Sequence, residues 1–257
     1  MTSHEKITLS LQQAKESRGV ALVPFITAGY PHKESFSQAL VDISKIGDVV
    51  EIGIPFSDPM ADGMTIQRSS HAALQNGVNL SWIFDQIDSV NAAIEAPLVM
   101  MSYLNPLLAF GYENLTERSH KAGVCGFIVP DLPLEESVEL SKALNKKDLG
   151  LIQLVTPVTP KKRMAQLCEA SKGFVYAVTM TGITGSETGL SSNISSYLDE
   201  INQISSLPVC AGFGIRSASD VTMIGQHATG AIVGSALVEA MENKQDIVSF
   251  LNGLRET

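Results

Sequence analysis

Short apolar runs alternate along the chain with longer segments in which apolar residues recur every three or four positions. The runs have the length of a buried strand and are rich in Val, Ile and Leu, whereas the longer segments have the periodicity of an amphipathic helix. The runs predict eight strands, at 20–27, 49–54, 97–103, 125–131, 149–155, 173–179, 208–213 and 229–234. The periodic segments predict helices at 4–18, 32–45, 64–75, 80–94, 111–122, 134–147, 159–170, 194–205, 217–225 and 235–254.

This alternation indicates an α/β fold with a parallel sheet, because strands that are covered by helices on both faces of a sheet are apolar throughout. Eight strand–helix units in 257 residues fit a (β/α)8 TIM barrel, whose usual size is about 250 residues, with an extra helix at the N-terminus. An open, doubly wound sheet is the competing fold. No shift in composition marks a linker, so we expect one barrel domain over residues 1–257.

The second strand carries an acidic residue, Glu51, in an otherwise apolar run. Because side chains alternate across a strand, Glu51 shares one face with Val49 and Gly53, and the opposite face is fully apolar. A charged carboxylate on an inward face is costly unless it is paired or hydrogen-bonded. A structural, hydrogen-bonded glutamate and a proton-transfer group at the mouth of a barrel both fit this position. Two carboxylates in the following loop, Asp58 and Asp62, favour the proton-transfer group.

The active site of a (β/α)8 barrel lies at the carboxyl ends of its strands, so residues at predicted strand ends are candidates. They are Phe25, Glu51, Tyr103, Asp131, Tyr176, Phe213 and Gly234. The aromatic side chains fit equally well as core residues, although a tyrosine adds a hydroxyl for hydrogen bonding. Asp131 fits equally well as a turn residue or a helix cap.

Glycine motifs after the last two strands predict a phosphate site. The motif 212–214 follows strand seven, and Gly234 with Ser235 joins strand eight to a helix. Loops at these positions often bind phosphate in this fold, because glycine lets backbone N–H groups approach an anion at a positive helix N-terminus. A third motif at 184–186 would complete the site, with Arg216 as the nearest cation in the sequence. Each glycine motif by itself is also what a plain turn requires.

Charge and composition indicate which binding partners and which cellular compartment to expect. The formal net charge is −9 and the isoelectric point about 5.0, which disfavours nucleic acid and anionic membranes. No apolar run reaches the ~20 residues that span a bilayer, and the N-terminus lacks an apolar signal core, so we expect a cytoplasmic protein. Three scattered cysteines predict free thiols, and neither they nor the five histidines have the spacing of a metal site.

Several stretches of the chain match the motifs of one known family. They are VPFITAGYP at 23–31, EIGIPFSDPMADG at 51–63, TIQ at 65–67, YLNPLLAFG at 103–111, GVCGFIVPDLPLEES at 123–137, TGITG at 181–185, GFGI at 212–215 and GSA at 234–236. Over essentially its whole length the chain resembles the tryptophan synthase α subunit family. The stretch from 51 to 67 is specific to that family, whereas the glycine motifs occur in other phosphate-binding barrels.

The resemblance implies a carbon–carbon lyase of tryptophan biosynthesis, which cleaves indole-3-glycerol phosphate to indole and glyceraldehyde 3-phosphate in a retro-aldol step. Glu51 would donate and accept the moving proton, and Asp62 would accept from the indole nitrogen. The chain would need no cofactor or metal of its own. Indole would pass to a β subunit that carries pyridoxal phosphate, in an α2β2 assembly, and Asp58 would lie at that interface.

The resemblance also implies roles for the remaining candidates. The substrate-binding group comprises Phe25, Tyr103, Asp131, Tyr176, Thr184 and Phe213, and the phosphate-binding group comprises Gly185, Gly214, Gly234 and Ser235. The loop 179–193 is expected to be a mobile lid, with Thr184 ordering it over the site. The chain departs from the usual family pattern at Met64, Cys125, Met180 and Arg216. Met64 would make the start of the following helix less rigid, and Arg216 would add positive charge near the phosphate.

Two other functions remain open at this stage. One is a different phosphate-binding barrel enzyme that acts on a phosphorylated sugar, which activity on indole-3-glycerol phosphate would distinguish. The other is a non-catalytic subunit that only regulates a partner, and the presence of both Glu51 and Asp62 counts against it.

Overall fold

The computed structural model describes residues 1–179, 194–212 and 214–255, and within them the chain forms a closed barrel. The strands are β1 Ala21–Thr27, β2 Val50–Gly53, β3 Leu98–Met101, β4 Val124–Ile128, β5 Gly150–Val155, β6 Val175–Val178, β7 Val209–Gly212 and β8 Gly230–Val233. Neighbouring strands are parallel and follow chain order, and β8 pairs with β1. The predicted (β/α)8 barrel is confirmed, and the doubly wound alternative is wrong.

Helix α1 precedes the barrel, as predicted, and the later helices cover its outside. Within the described ranges they are α1 Ser3–Arg18, α2 Phe36–Ser44, α3 Met64–Gln75, α4 Leu80–Val90, α5 Leu104–Phe110, α6 Tyr112–Lys121, α7 Val138–Asn145, α8 Lys161–Ala170, α9 Ile194–Ile204, α10 Ala218–His227, α11 Ser235–Glu242 and α12 Ile247–Gly253. We find no helix among these residues with the length and hydrophobicity of a membrane span.

Two helical segments differ from the sequence prediction. Helix α5 was not predicted, because Pro106 interrupts a short apolar run; the proline lies in the first turn, where its missing N–H removes no hydrogen bond. The single helix predicted at 235–254 is wrong, since α11 and α12 are separate. Lys244 between them adopts φ 55°, and the Asp246 side chain accepts the Ser249 amide at 2.7 Å to begin α12.

The two faces of β2 lie as the alternation predicts. Val50 and Ile52 pack between the sheet and the surrounding helices. Val49 belongs to the separate cluster that fills the barrel, together with Val23 and Phe25 of β1. Glu51, on the same face as Val49, therefore points into the barrel.

Helix α1 closes the amino-terminal end of the barrel. Ile7 and Leu11 are fully buried in the interior cluster, and burial of each such side chain contributes about 1.5–3 kcal/mol. Thr8 Oγ1 donates to the Gly173 carbonyl at 2.7 Å, which fixes the helix at the start of β6. The opposite, carboxyl end is left for a site, as in other barrels of this type.

A buried carboxylate, Asp48, fixes the start of β2 three residues before Glu51. Asp48 is 8% exposed, and its Oδ2 accepts the Leu22 amide at 2.8 Å and Arg255 Nη2 at 2.9 Å. Arg18 pairs with its other oxygen. These contacts join β1, β2 and both ends of the chain, and so they hold Glu51 in register.

Candidate active site

Glu51 lies on β2, in register with Phe25 of β1 on one side and Val99 of β3 on the other. Its side chain is 1% exposed, and neither carboxyl oxygen has a hydrogen-bond partner among the described residues. A purely structural glutamate needs such partners, since a buried polar group without one is destabilising. Glu51 is therefore not a structural glutamate held by hydrogen bonds, which was one of the two interpretations that the sequence allowed.

Burial controls the protonation of Glu51. Removal from water raises the pKa of its carboxyl from 4.5 to about 8, and the nearby negative charge of Asp62 adds to the increase. Glu51 is consequently protonated at neutral pH and can donate a proton. Asp62 acts on this pKa, so the two carboxyls lie within electrostatic reach of each other.

Asp62 lies on the loop between β2 and α3 and is half-buried. Its amide donates to the Pro59 carbonyl at 3.1 Å and its carbonyl accepts Gln67 Nε2 at 2.9 Å, so the backbone on both sides is fixed. Burial raises the pKa of the Asp62 carboxyl to about 6, and a hydrogen bond from Tyr103 opposes that rise. Asp62 is therefore largely ionised at neutral pH, whereas Glu51 is not.

Tyr103, at the start of α5, holds the loop that carries Asp62. Its hydroxyl donates to Asp62 Oδ2 at 3.0 Å and accepts the Ala61 amide at 2.8 Å. Its ring stacks on Phe56, with centroids 5.0 Å apart and planes inclined by 25°. The resemblance implied that Tyr103 lines a pocket; its hydrogen bonds to the loop that carries Asp62 could not be found from the sequence.

Tyr176 of β6 lies beside the two carboxyls. It is 4% exposed, and burial followed by the charges of Glu51 and Asp62 raises the pKa of its hydroxyl well above the usual value. A Cβ at Gly212 on the neighbouring strand would lie 2.3 Å from the Tyr176 hydroxyl, so only glycine fits there. The structure thus brings Tyr176 within electrostatic reach of Glu51 and Asp62.

Phe25 connects β2 with the end of β8. A Cβ at Gly53 would lie 2.4 Å from Phe25 Cζ, whereas a Cβ at Gly234 would lie 3.5 Å from Phe25 Cδ1, which is ordinary contact. The ring therefore lies over Gly53 and next to Gly234. It places the predicted phosphate motif of β8 on the same mouth as Glu51.

The described part of the predicted phosphate site consists of Gly214, Gly234 and Ser235. Gly214 is exposed with φ +86°, a conformation that favours glycine, and Ser235 is the first residue of α11. Arg216 forms an ion pair with Glu239 of α11, so the positive charge expected near the phosphate is shared with a carboxylate. Thr184, Gly185, Phe213 and Met180 lie outside the described residues, as does the predicted lid 179–193 except for Thr179.

Asp131 and Asp58 are both exposed. The Asp131 carboxylate accepts the Leu104 amide at 2.9 and 3.2 Å, so it caps α5 next to Tyr103; its role in substrate binding stays a prediction. Asp58 lies on an exposed loop with Met60, which is 80% exposed. No cluster of His, Cys, Asp and Glu with the makings of a metal site occurs in the ranges that the structure describes.

Comparison with known proteins places this geometry in one family. The sequence profile of the family described as "Tryptophan synthase alpha chain" matches residues 11–255. A tryptophan synthase alpha chain of Desulfosudis oleivorans is 39% identical over 250 residues, which is 96% of this chain and 94% of that protein. One of Bacillus mycoides is 39% identical over 256 residues, 98% of each chain.

Solved structures agree. A chain of Mycobacterium tuberculosis tryptophan synthase superposes with a TM-score of 0.89 at 32% identity, over 97% of this chain and 96% of its own. A chain from the tryptophan synthase α2β2 complex of Pyrococcus furiosus superposes with a TM-score of 0.85 at 33% identity, over 93% of this chain and 97% of its own. The chain therefore belongs to the tryptophan synthase alpha chain family.

Proposed function

We propose that this chain cleaves indole-3-glycerol phosphate to indole and glyceraldehyde 3-phosphate, with Glu51 and Asp62 as its catalytic residues. The observation that carries the proposal is the Glu51 carboxyl, which is fully buried, has no hydrogen-bond partner among the described residues and lies within electrostatic reach of Asp62. Two carboxyls whose environments separate their pKa values can divide acid and base roles between them.

Glu51 supplies the proton that the retro-aldol step needs. In its protonated form it donates to C3 of the indole ring, which makes the bond from C3 to the glycerol carbon breakable. The resulting carboxylate then accepts the proton of the adjacent glycerol hydroxyl while that carbon becomes the aldehyde. Since one proton leaves Glu51 and one returns, the residue ends the cycle as it began. A positioned acid–base group of this kind contributes roughly 10²–10⁴-fold to the rate.

Asp62 acts on the other side of the indole. When C3 is protonated, positive charge develops at the ring nitrogen, and an ionised carboxylate accepts its N–H proton. As the bond breaks, the electron pair returns to the ring and the nitrogen takes the proton back. With Glu51 protonated below about pH 8 and Asp62 ionised above about pH 6, both residues have the required form near neutral pH.

The rest of the mouth supports the two ends of the substrate. Phe25, Tyr103 and Tyr176 form apolar walls for the indole, which has no charge to bind. Gly214, Gly234 and Ser235 offer backbone N–H groups and the start of α11 to the phosphate, together with Gly185. Phe213, Thr184 and Asp131 complete the predicted binding set.

The reaction as written requires no cofactor in this chain. We propose that released indole is used by a pyridoxal-phosphate β subunit that docks on the exposed loop with Asp58, in an α2β2 assembly within the cytoplasm. An α2β2 complex is recorded for the Pyrococcus furiosus relative. The three cysteines of this chain are buried free thiols, which fits a reducing compartment.

Substitution of the two carboxyls tests the proposal. Glu51→Gln and Asp62→Asn keep size but remove acid–base capacity, so both variants should bind substrate and cleave it at least 10²-fold more slowly. Asp85→Asn, an exposed aspartate of α4, serves as the control and should cleave like the parent. If Glu51→Gln stays within about tenfold of the parent, Glu51 is not the proton donor. If Asp62→Asn weakens binding at unchanged turnover, Asp62 is a binding residue.

A further inference from the structure

Helices α3 and α11 are joined by two polar contacts beside the mouth of the barrel. Thr65 Oγ1 donates to Glu239 Oε1 at 2.9 Å, and Arg68 donates to both oxygens of Glu242 at 2.7–3.0 Å. The residues on each helix are three positions apart and so lie on one face on successive turns. We call the pair Thr65–Glu239 the upper contact and Arg68–Glu242 the lower contact.

The carboxylate in each contact also accepts a hydrogen bond from a residue on a neighbouring loop. Glu239 Oε2 accepts from Arg216, which follows Gly214 by two residues on the loop after β7. Glu242 accepts from the Tyr30 hydroxyl on the loop after β1. Two helices and two loops at the mouth are thus joined at two carboxylates, and neither carboxylate forms a hydrogen bond with Glu51 or Asp62 within the described residues.

The positions of these residues relate them to the two ends of the substrate. Thr65 lies three residues after Asp62 and is the second residue of α3, whose N-cap is Gly63. Ser235 is the predicted phosphate-binding start of α11, and Glu239 lies one helical turn after it. The upper contact therefore connects the loop that would hold the indole nitrogen to the helix that would hold the phosphate.

We infer that Thr65 and Glu239 are positioning residues, which set the distance between Asp62 and the phosphate-binding start of α11. This inference rests on the proposed function. Partly exposed polar pairs add little to the free energy of unfolding, so stabilisation of the fold does not by itself account for this contact. A small change in placement has a larger effect on rate, because a misplacement of 1 Å can lower it about 10²-fold.

Thr65→Val and Thr65→Ser separate the hydroxyl from the rest of the side chain. Valine keeps the shape and removes the donor, whereas serine keeps the donor. We expect Thr65→Val to lower kcat for indole-3-glycerol phosphate about tenfold, within the range that misplacement produces, and Thr65→Ser to resemble the parent. Affinity for glycerol 3-phosphate, which occupies only the phosphate end, should change less than about twofold in both, because the hydroxyl touches no ligand.

A second measurement does not depend on activity. Glycerol 3-phosphate bound at α11 should slow hydrogen exchange at residues 60–67 in the parent and in Thr65→Ser, and this protection should be lost in Thr65→Val. Asp85→Asn, which removes the exposed contact from Asp85 to Arg118 on the outer helices, is the control for loss of a surface pair. It should keep both turnover and ligand-dependent protection.

The outcomes are distinct. Parent-like kcat and protection in Thr65→Val overturns the inference, as does equal impairment of Thr65→Ser. Loss of glycerol 3-phosphate affinity in Thr65→Val also overturns it, because Thr65 would then belong to the phosphate site itself. If the parent fails to cleave indole-3-glycerol phosphate but the protection is lost only in Thr65→Val, the proposed function is wrong and the coupling of the two loops stands.

Discussion

The Tyr103 hydroxyl donates a hydrogen bond to Asp62 Oδ2 at 3.0 Å while it accepts the Ala61 amide at 2.8 Å. One side chain thus fixes both the backbone of the loop between β2 and α3 and the carboxylate that the loop presents. A hydrogen bond to a carboxylate stabilises its ionised form, so this contact also favours the form of Asp62 that accepts a proton.

Tyr103→Phe tests that relationship, because it removes the hydroxyl and keeps the ring that stacks on Phe56. The pKa of Asp62 should rise, since its ionised form loses a donor. The acid limb of kcat/KM against pH should move to higher pH, and kcat/KM well below pH 6 should fall about tenfold, which corresponds to about 1.5 kcal/mol for a charge-assisted hydrogen bond. Tyr112→Phe on α6 is the control. An acid limb that stays in place would remove Tyr103 from control of Asp62.

Glu51 should make the stability of the fold depend on pH. Its pKa is raised from 4.5 to about 8, so between these values the unfolded chain releases the proton while the folded chain keeps it. The free energy of unfolding should therefore decrease as pH rises through this window, by up to about 1.4 kcal/mol per pH unit, and that stability is fully present below pH 4.5.

Denaturant unfolding of the parent and of Glu51→Gln from pH 4 to pH 9 measures this effect. The variant lacks the titrating group, so its stability relative to the parent should improve steadily as pH rises. Asp85→Asn, which alters an exposed carboxylate, should follow the parent at every pH. Parallel curves for parent and Glu51→Gln would mean that Glu51 ionises normally in the folded chain.

Gly53 is needed because the Phe25 ring occupies the space of its missing side chain. A Cβ at Gly53 would lie 2.4 Å from Phe25 Cζ, so Gly53→Ala must displace the ring from its place beside Gly234. We expect a loss of about 1–3 kcal/mol in stability, as for other overpacked cores, together with weaker substrate binding.

A double variant and a control make this prediction specific. Phe25→Leu should restore part of the stability lost in Gly53→Ala, because it vacates the contested space. Gly253→Ala at the end of α12 adds the same methyl group where nothing lies within 4 Å, and it should not destabilise the fold. Equal unfolding midpoints for Gly53→Ala and the parent would show that Phe25 moves aside without cost.

Much of the barrel could be predicted from the sequence, because its signals are local. The eight apolar runs correspond to the strands, and the helix predicted at 64–75 begins and ends as the structure has it. The alternation in β2 correctly placed Glu51 inside the barrel. The break between α11 and α12 was missed because the segment from 235 to 254 keeps a helical spacing of apolar residues across Lys244.

The site was predictable only in part, since its contacts join residues far apart in the chain. Glu51 stood out as a charge in a buried strand, and Asp62 through its loop and the family resemblance. The contact of Thr65 with Glu239 spans 174 residues, and nothing local marks either residue. The bond from Tyr103 to Asp62 likewise depends on how β3 and the loop after β2 meet at the mouth.

The loop that carries Asp62 also presents an exposed surface, on which Asp58 is exposed and Met60 is 80% exposed. If a β subunit docks there, it can select the loop arrangement that is active, so cleavage should be slow in the isolated chain and faster in the complex. Asp58→Ala should mainly reduce this stimulation and leave basal cleavage nearly unchanged, because Asp58 is not one of the two proposed catalytic residues. Asp85→Ala on α4 is the matched control. Turnover of each variant, alone and with saturating β subunit, measures the effect. Equal stimulation of Asp58→Ala and the parent would exclude Asp58 from the coupling, and an unstimulated parent would favour a lyase that works alone.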